Sequence, residues 1–66
     1  MLVREQGTDR QGRPLGPGTR VRVLVEDSQP QGTVVRTLSD YGVVTVLFEK
    51  PTKAERMYRV SEVEVL

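Results

Sequence analysis

The chain has 66 residues, twelve of them valine, and contains no cysteine, histidine, tryptophan, asparagine or isoleucine. This length corresponds to one domain. Without cysteine or histidine, a disulfide framework, a Cys/His zinc site and the common catalytic triads are all excluded. The formal net charge is only +1, so the composition lacks the strong basic excess of many nucleic-acid-binding domains. No apolar run approaches the roughly 18 residues of a membrane span and no signal peptide is visible, so we expect a cytoplasmic protein without membrane contacts.

Residues 1–18 are predicted to form a flexible leader, because glycine and proline recur there at short intervals. Within it, residues 9–12 predict a β-turn, with Asp9 at the first position and Gly12 at the fourth. Leu15 is the only apolar side chain other than proline between Val3 and Val21, so we expect it to attach the leader to the folded part. The folded domain is accordingly predicted over residues 19–66.

The first strand is predicted over residues 19–25, where apolar and polar side chains alternate. Val21, Val23 and Val25 would share the inward face of this strand. The opposite face would carry Arg20, Arg22 and Leu24. Residues 26–32 follow as a loop, in which Pro30 and Gly32 are expected to interrupt strand pairing.

Two further strands are predicted over residues 33–38 and 43–49, joined by a short hairpin connection in which Gly42 takes a positive φ. The adjacent valines at 34 and 35 leave the inward register of the second strand open. In the third strand Val44, Val46 and Phe48 are predicted to point inward, because phenylalanine is the largest apolar side chain there. Leu47 would then lie outside beside Leu24, and two exposed leucines would indicate an interface.

The end of the chain is predicted to contain a strand over residues 55–60, a single 3₁₀ turn over 61–63 and a last short strand over 64–66. Residues 52–57 are rich in helix-forming side chains, but this segment is below the length at which a helix is stable alone. We therefore favour a loop that continues into a strand. The sequence as a whole predicts a small all-β domain with five strands.

Four segments of the chain, at residues 18–23, 32–34, 44–48 and 58–65, resemble SH3-like barrels. That group includes KOW and Tudor-like modules, the photosystem I subunits of the E family and the plasmid-encoded type II dihydrofolate reductases. The resemblance covers residues 18–66 and implies a five-stranded SH3-like barrel. Residues 9–15, placed before Gly18-Thr19, are also similar to small uncharacterised proteins of phage and mobile elements.

The resemblance to the reductases can be followed residue by residue. Their active pore uses a Gln-Ile-Tyr run before the last turn, and the matching run here is Arg56-Met57-Tyr58. The tyrosine is present, but the pore-lining glutamine is replaced by Arg56. The position of their substrate-recruiting lysine falls on Val23. The resemblance therefore implies the architecture of these enzymes, but two of their three functional residues are missing here. An oligomeric pore enzyme is accordingly the remotest of the functions considered.

The sequence predicts a non-catalytic binding module without cofactor, metal or small-molecule ligand, which contacts a protein partner or a second copy of itself. The candidate contact residues are Leu24, Leu47 and Tyr41, the last at a hairpin tip. Glu62 and Glu64 lie two residues apart and could act as an acid–base pair, but we interpret them as charges that protect an exposed edge from aggregation. We interpret Glu26 and Asp27 as a solvated loop, because two carboxylates are too few for a Ca²⁺ site.

The alternative is an RNA- or DNA-binding barrel that contacts phosphates through a basic stripe. Its candidate residues are Arg20, Arg22, Arg36, Arg56 and Arg59. Surface aromatic side chains on which bases could stack are scarce, and a solvated, salt-bridged face is the competing interpretation of the same arginines. Tyr41 has two interpretations as well, since its ring could either serve recognition or pack over the end of the barrel.

Overall fold

The computed structural model describes residues 8–9, 11–50 and 52–66. Five strands form one antiparallel sheet: β1 (Arg20–Val23), β2 (Gln31–Leu38), β3 (Val43–Phe48), β4 (Ala54–Arg59) and β5 (Val63–Val65). Their order across the sheet is β4-β3-β2-β1-β5. Two 3₁₀ turns, Ser39–Tyr41 and Val60–Glu62, precede β3 and β5. The prediction of a small all-β fold is confirmed, and residues 54–59 form a strand rather than a helix.

One face of the sheet encloses the hydrophobic core. Its eight buried apolar residues are Leu15, Val21, Val23, Val34, Val44, Val46, Phe48 and Val63. The predicted inward set of β3 is confirmed, and Gly42 has the expected positive φ of 66°. The prediction for Val25 is wrong, because β1 ends at Val23 and the chain then bends, which leaves Val25 57% exposed.

Gly32 belongs to β2 and does not interrupt pairing, which corrects the sequence interpretation. It is buried and pairs with Val21 of β1. A Cβ atom at this position would lie 2.5 Å from Val46 Cγ1 and 2.7 Å from the Leu47 carbonyl oxygen. Glycine is therefore required here because β3 approaches the β2 backbone too closely for any side chain.

A β-bulge in β2 decides which side chains leave the core. Val34 of β2 pairs with Val46 of β3, and the next residue of β3 in the ladder, Thr45, pairs with Arg36. Val35 is therefore the extra residue of the bulge. A regular strand would place residues 34, 36 and 38 on one face. The bulge reverses this pattern after Val34, so Thr37 reaches the inner side and donates a hydrogen bond to the Leu15 carbonyl oxygen. Arg36 and Leu38 consequently lie on the outer face.

Residues 11–18 of the predicted leader contact the sheet at several points: Arg13 Nη1 donates to the Val65 carbonyl oxygen at 3.1 Å, and Gly18 N–H donates to the Val34 carbonyl oxygen at 2.8 Å. The other predicted leader residues except Thr8 and Asp9 lie outside the described residues. Leu15 is fully buried in the core, as expected. The predicted turn is present, with Gly12 N–H donating to the Asp9 carbonyl oxygen at 3.0 Å. Leu15 is thus a core residue, and the folded unit extends toward the N-terminus beyond residue 19.

Asp9 joins this N-terminal segment to the last strand. Its Oδ1 accepts N–H groups from Gln11 at 2.9 Å and Arg13 at 2.8 Å, and its Oδ2 accepts Val65 N–H at 2.8 Å. Burial alone raises the pKa of this carboxyl group. The three N–H donors and the Arg13 guanidinium outweigh burial, and the pKa is held below its ordinary value. We refer to Asp9 with these three partners as the Asp9 clasp.

Candidate functional site

A groove on the outer face of the sheet crosses β2, β3 and β4. It has a volume of about 320 Å³ and is lined by Arg36, Leu38, Thr45, Glu55 and Met57. Thr45 lies at its floor and is only 8% exposed, whereas Leu38 and Met57 on the flanking strands are 40% and 60% exposed. We call this feature the outer groove. It exposes apolar side chains above a buried floor, which is the usual form of a surface that binds another molecule.

The strand register explains how the outer groove arises. Arg36, Thr45 and Met57 lie side by side in one row across β2, β3 and β4, and Leu47 pairs with Glu55 in a neighbouring row. Arg36 therefore places a positive charge at the β2 side, and Glu55 a negative charge at the β4 side. The two apolar walls are thus bordered by opposite charges, which favours a partner whose own charges are arranged in the reverse sense.

The predicted contact residues Leu24 and Leu47 do not form a pair. Leu47 lies on the outer face, but its row contains Thr33 and Arg20, whereas Leu24 follows the end of β1. Both leucines are half-buried. The prediction that they are exposed neighbours is wrong, because it placed the strands side by side without their register. Only Leu47 lies beside the outer groove.

Tyr41 lies in the 3₁₀ turn between β2 and β3 and is 80% exposed. The interpretation in which its ring packs over the end of the core is therefore wrong. Tyr41 lies at the end of the outer groove where β2 connects to β3. A solvent-exposed aromatic side chain of this kind remains a candidate for contact with a partner.

The five predicted phosphate-binding arginines are not on one face. Arg56 and Arg59 are three residues apart on β4, and an odd separation along a strand places two side chains on opposite faces. Arg56 lines a second cavity, on the face opposite the outer groove. The prediction of one continuous stripe is therefore wrong for this residue. Arg20, Arg22, Arg36 and Arg59 occupy outer-face positions.

Acidic groups lie among the outer-face arginines. Glu64 on β5 lies opposite Arg22, with Arg22 Nη1 and Glu64 Oε1 3.7 Å apart. Glu55 on β4 ends the row that contains Arg20, Thr33 and Leu47. Arg20 Nη1 donates to Thr33 Oγ1 at 3.0 Å. This surface therefore has alternating charge, in contrast to the uniform positive potential that attracts a phosphate backbone.

The second cavity lies at the opposite side of the sheet, between the β1–β2 loop and the β3–β4 connection. It measures about 350 Å³, and the residues that line it are Glu26, Ser28, Pro30, Phe48, Lys50, Thr52, Ala54 and Arg56. Charges of both signs line it, namely Glu26, Lys50 and Arg56. The lining is too polar for a hydrophobic docking site, and we regard the outer groove as the stronger candidate.

Tyr58 contacts two of the residues that line this cavity, Glu26 and Phe48. Its hydroxyl donates to Glu26 Oε2 at 2.5 Å, and its ring meets Phe48 edge-on with the centroids 6.2 Å apart. Burial is the largest cause, and Glu26 the next, of a pKa that is raised to about 12. The hydroxyl therefore stays protonated and holds the β1–β2 loop against β4.

The described residues contain no group of three or more histidine, cysteine, aspartate or glutamate side chains that could hold a metal ion. Within the same part of the chain, no helix has the length and apolar character needed to cross a membrane. No protein-family model matches the sequence, and no curated protein or solved structure matches it either. Function is therefore inferred from the geometry of the surface.

Sequence reasoning missed Leu38 and Met57, the two exposed apolar side chains of the outer groove. A bulge after Val34 cannot be located from alternation alone, and without it Leu38 belongs to the inward face. The adjacent valines 34 and 35 were the only signal of this irregularity. For Met57 the signal was simpler. Any strand over this segment places Met57 on the same face as the charged Glu55 and Arg59, which indicates an exposed position.

Proposed function

We propose that this chain is a non-catalytic protein-binding module whose contact surface is the outer groove. The observation that carries the proposal is the exposure of Leu38 and Met57 on either side of the buried Thr45. A methionine on a contact surface adapts to partners of different shape because its side chain is flexible and polarisable. Arg36 and Glu55 at the two sides of the groove would fix the orientation of the partner through opposite charges.

An SH3-like barrel is the architecture that we propose for the module. The five antiparallel strands support this assignment, since the resemblance implies a five-stranded barrel. The curl of the sheet gives further support, because Tyr58 on the edge strand β4 reaches Glu26 in the loop after β1. Binding activity is inferred from the surface and not from the architecture, which serves many functions.

A pair of matched substitutions tests the contact surface. Met57→Glu places a charge in the outer groove, whereas Val25→Glu places the same charge at a side chain of similar exposure in the β1–β2 loop. Partner recovery from the source lysate, compared among the wild type and the two variants with circular dichroism as the folding control, measures their effects. We expect Met57→Glu to lose the partner that Val25→Glu retains. Equal recovery by both variants would contradict a role for the groove.

Nucleic-acid binding is an alternative proposal, which the outer-face positions of Arg20, Arg36 and Arg59 support. Glu55 and Glu64 on the same face weaken it, because they lower the potential that a phosphate backbone would meet. Fluorescence titration with RNA and DNA at about 50 and 200 mM salt tests it. Salt-sensitive binding tighter than about 10⁻⁶ M would favour nucleic acid over protein as the partner.

A further inference from the structure

We propose that a second copy of this chain pairs antiparallel with β4, the edge strand that supplies Glu55 and Met57 to the outer groove, and that Met57 lies at the two-fold axis. This inference deepens the proposed function and rests on it. The proposed pairing joins the two sheets edge to edge and places Met57 against Met57 of the second copy. The two outer grooves then become continuous. The contact is isologous, because each copy contributes the same residues.

The backbone of β4 is positioned for such pairing. Val60 N–H donates to the Gly42 carbonyl oxygen at 2.9 Å, so the backbone groups of residue 60 point toward β3. Because these groups alternate in direction along a strand, those of Tyr58 and Arg56 also point toward β3. Glu55 and Met57 direct theirs to the opposite side, where the described residues supply no neighbouring strand. At the two-fold axis each Met57 N–H can donate to the Met57 carbonyl oxygen of the second copy.

The far end of this edge is partly covered. Arg59 N–H also points away from β3, and Glu62 Oε1 accepts it at 2.8 Å. Among the residues that the structure describes, none occupies the N–H and carbonyl groups of Glu55 and Met57 or the Arg59 carbonyl oxygen on this side, so a second strand can bond to them. This short ladder, with Met57 contacts on one face, predicts a weak and reversible dimer.

The charges of β4 select the register. A two-fold axis perpendicular to the sheet must place one residue opposite itself, and a Glu55 or Arg56 centre would oppose like charges. A Met57 centre instead places Glu55 opposite Arg59 of the second copy, twice by symmetry. Arg56 then lies opposite the aromatic ring of Tyr58. A Tyr58 centre pairs no opposite charges. Among these centres, only Met57 brings Glu55 and Arg59 together, so the edge is self-complementary in this register.

The other edge of the sheet is not available in the same way. Val65 of β5 directs its backbone away from β1, and there Asp9 Oδ2 accepts its N–H while Arg13 Nη1 donates to its carbonyl oxygen. The N-terminal segment thus occupies the β5 edge with side chains. The β4 edge is the one at which a second copy can add a strand by backbone hydrogen bonding.

Reciprocal charge reversal tests the register. In a homodimer of Glu55→Arg, the new arginine would oppose Arg59 of the second copy twice by symmetry. In a homodimer of Arg59→Glu, the new glutamate would oppose Glu55 of the second copy twice. Each variant should therefore dissociate at least about tenfold more readily than the wild type. An equimolar mixture of these two variants restores both opposite-charge pairs in a heterodimer. Glu49→Arg, at an exposed position beyond β3, is the matched control and should self-associate like the wild type.

Sedimentation equilibrium of the full chain from about 1 μM to 1 mM covers the expected affinity range. The expected result is a wild-type dimer, two weakened single variants and recovery in their mixture to within about threefold of the wild-type constant. Recovery separates lost pairing from misfolding, since two unfolded variants cannot repair each other. A monomeric wild type, or a mixture no stronger than its components, would overturn the proposal. If the wild type is monomeric while Met57→Glu selectively loses a lysate partner, the proposed function stands with a different protein as partner.

Discussion

Replacing Asp9 should reveal how much of the stability depends on the N-terminal segment. Asp9→Ala removes the acceptor of three backbone N–H groups, from Gln11, Arg13 and Val65. Asp9 itself is only 5% exposed, so water replaces the lost oxygens incompletely. A hydrogen bond to a charged group contributes about 1.5–3 kcal/mol, and these bonds share one carboxylate. We expect the variant to lose about 2–4 kcal/mol of unfolding free energy, a large fraction for so small a domain.

Asp9→Asn separates the charge of the side chain from its shape. The amide oxygen can still accept the N–H groups of Gln11 and Arg13, but the amide nitrogen then faces Val65 N–H, donor against donor. We expect a loss of about 1–2 kcal/mol at pH 7. Because the folded-state pKa of Asp9 is depressed, its contribution to stability is fully present above the unfolded pKa of about 4 and is lost as pH falls through the folded value. The difference between wild type and Asp9→Asn should therefore shrink in acid.

Urea denaturation followed by circular dichroism, at pH 7 and again near pH 3, measures both effects. The slope of the unfolding free energy against urea concentration should stay nearly constant if only the clasp is lost. An Asp9→Ala cost below about 0.5 kcal/mol, the size of an ordinary surface substitution, would refute the clasp as a stabilising contact. A wild-type advantage over Asp9→Asn that does not change with pH would refute the electrostatic contribution of the carboxylate.

Gly32→Ala should cost at least about 3 kcal/mol or abolish folding, because the added methyl group meets Val46 and the backbone of Leu47; a thermal melt within a few degrees of the wild type would contradict this. Tyr58→Phe should cost about 1 kcal/mol at pH 7 through loss of the bond to Glu26. Since the pKa of Tyr58 is raised to about 12, its contribution is present below about pH 10 and is lost as pH rises toward 12. Denaturation at pH 7 and 11 should therefore show the gap between wild type and Tyr58→Phe narrowing, and a constant gap would count against the bond. Tyr41→Ala should change stability by less than about 0.5 kcal/mol in the same assay, because its side chain is 80% exposed.

Much of the strand arrangement could be predicted because valine alternates with polar residues along it. In β3 the inward positions followed from Val44, Val46 and Phe48 alone, and all three are buried. Alternation did not mark where a strand ends, since the chain bends after Val23 although Val25 continues the pattern. Strand ends depend on loop contacts such as that between Glu26 and Tyr58, which join residues far apart in sequence.

The outer groove could not be predicted, because it depends on one inserted residue. Val35 has no partner of its own on β3, and this shift carries Leu38 from the inner face to the outer one. The role of Gly32 was hidden for a similar reason, since the close approach of Val46 is a property of two packed strands. For Asp9 the sequence indicated the local turn but gave no sign of the bond to Val65, which lies at the other end of the chain.

The two edges of the sheet differ in whether their backbone groups are already hydrogen-bonded, and this difference controls how large an assembly of this chain can become. If Met57 pairs with Met57 of a second copy, each copy uses the β4 edge, the one that the described residues leave open, and growth stops at two. Joining β4 of one copy to β5 of the next would be a head-to-tail contact, which repeats without closure and gives a filament. Asp9 and Arg13 block that mode by occupying the backbone of Val65. The clasp that stabilises the monomer thus also protects it from open-ended polymerisation, and its loss should produce fibrous aggregates as well as a lower melting temperature.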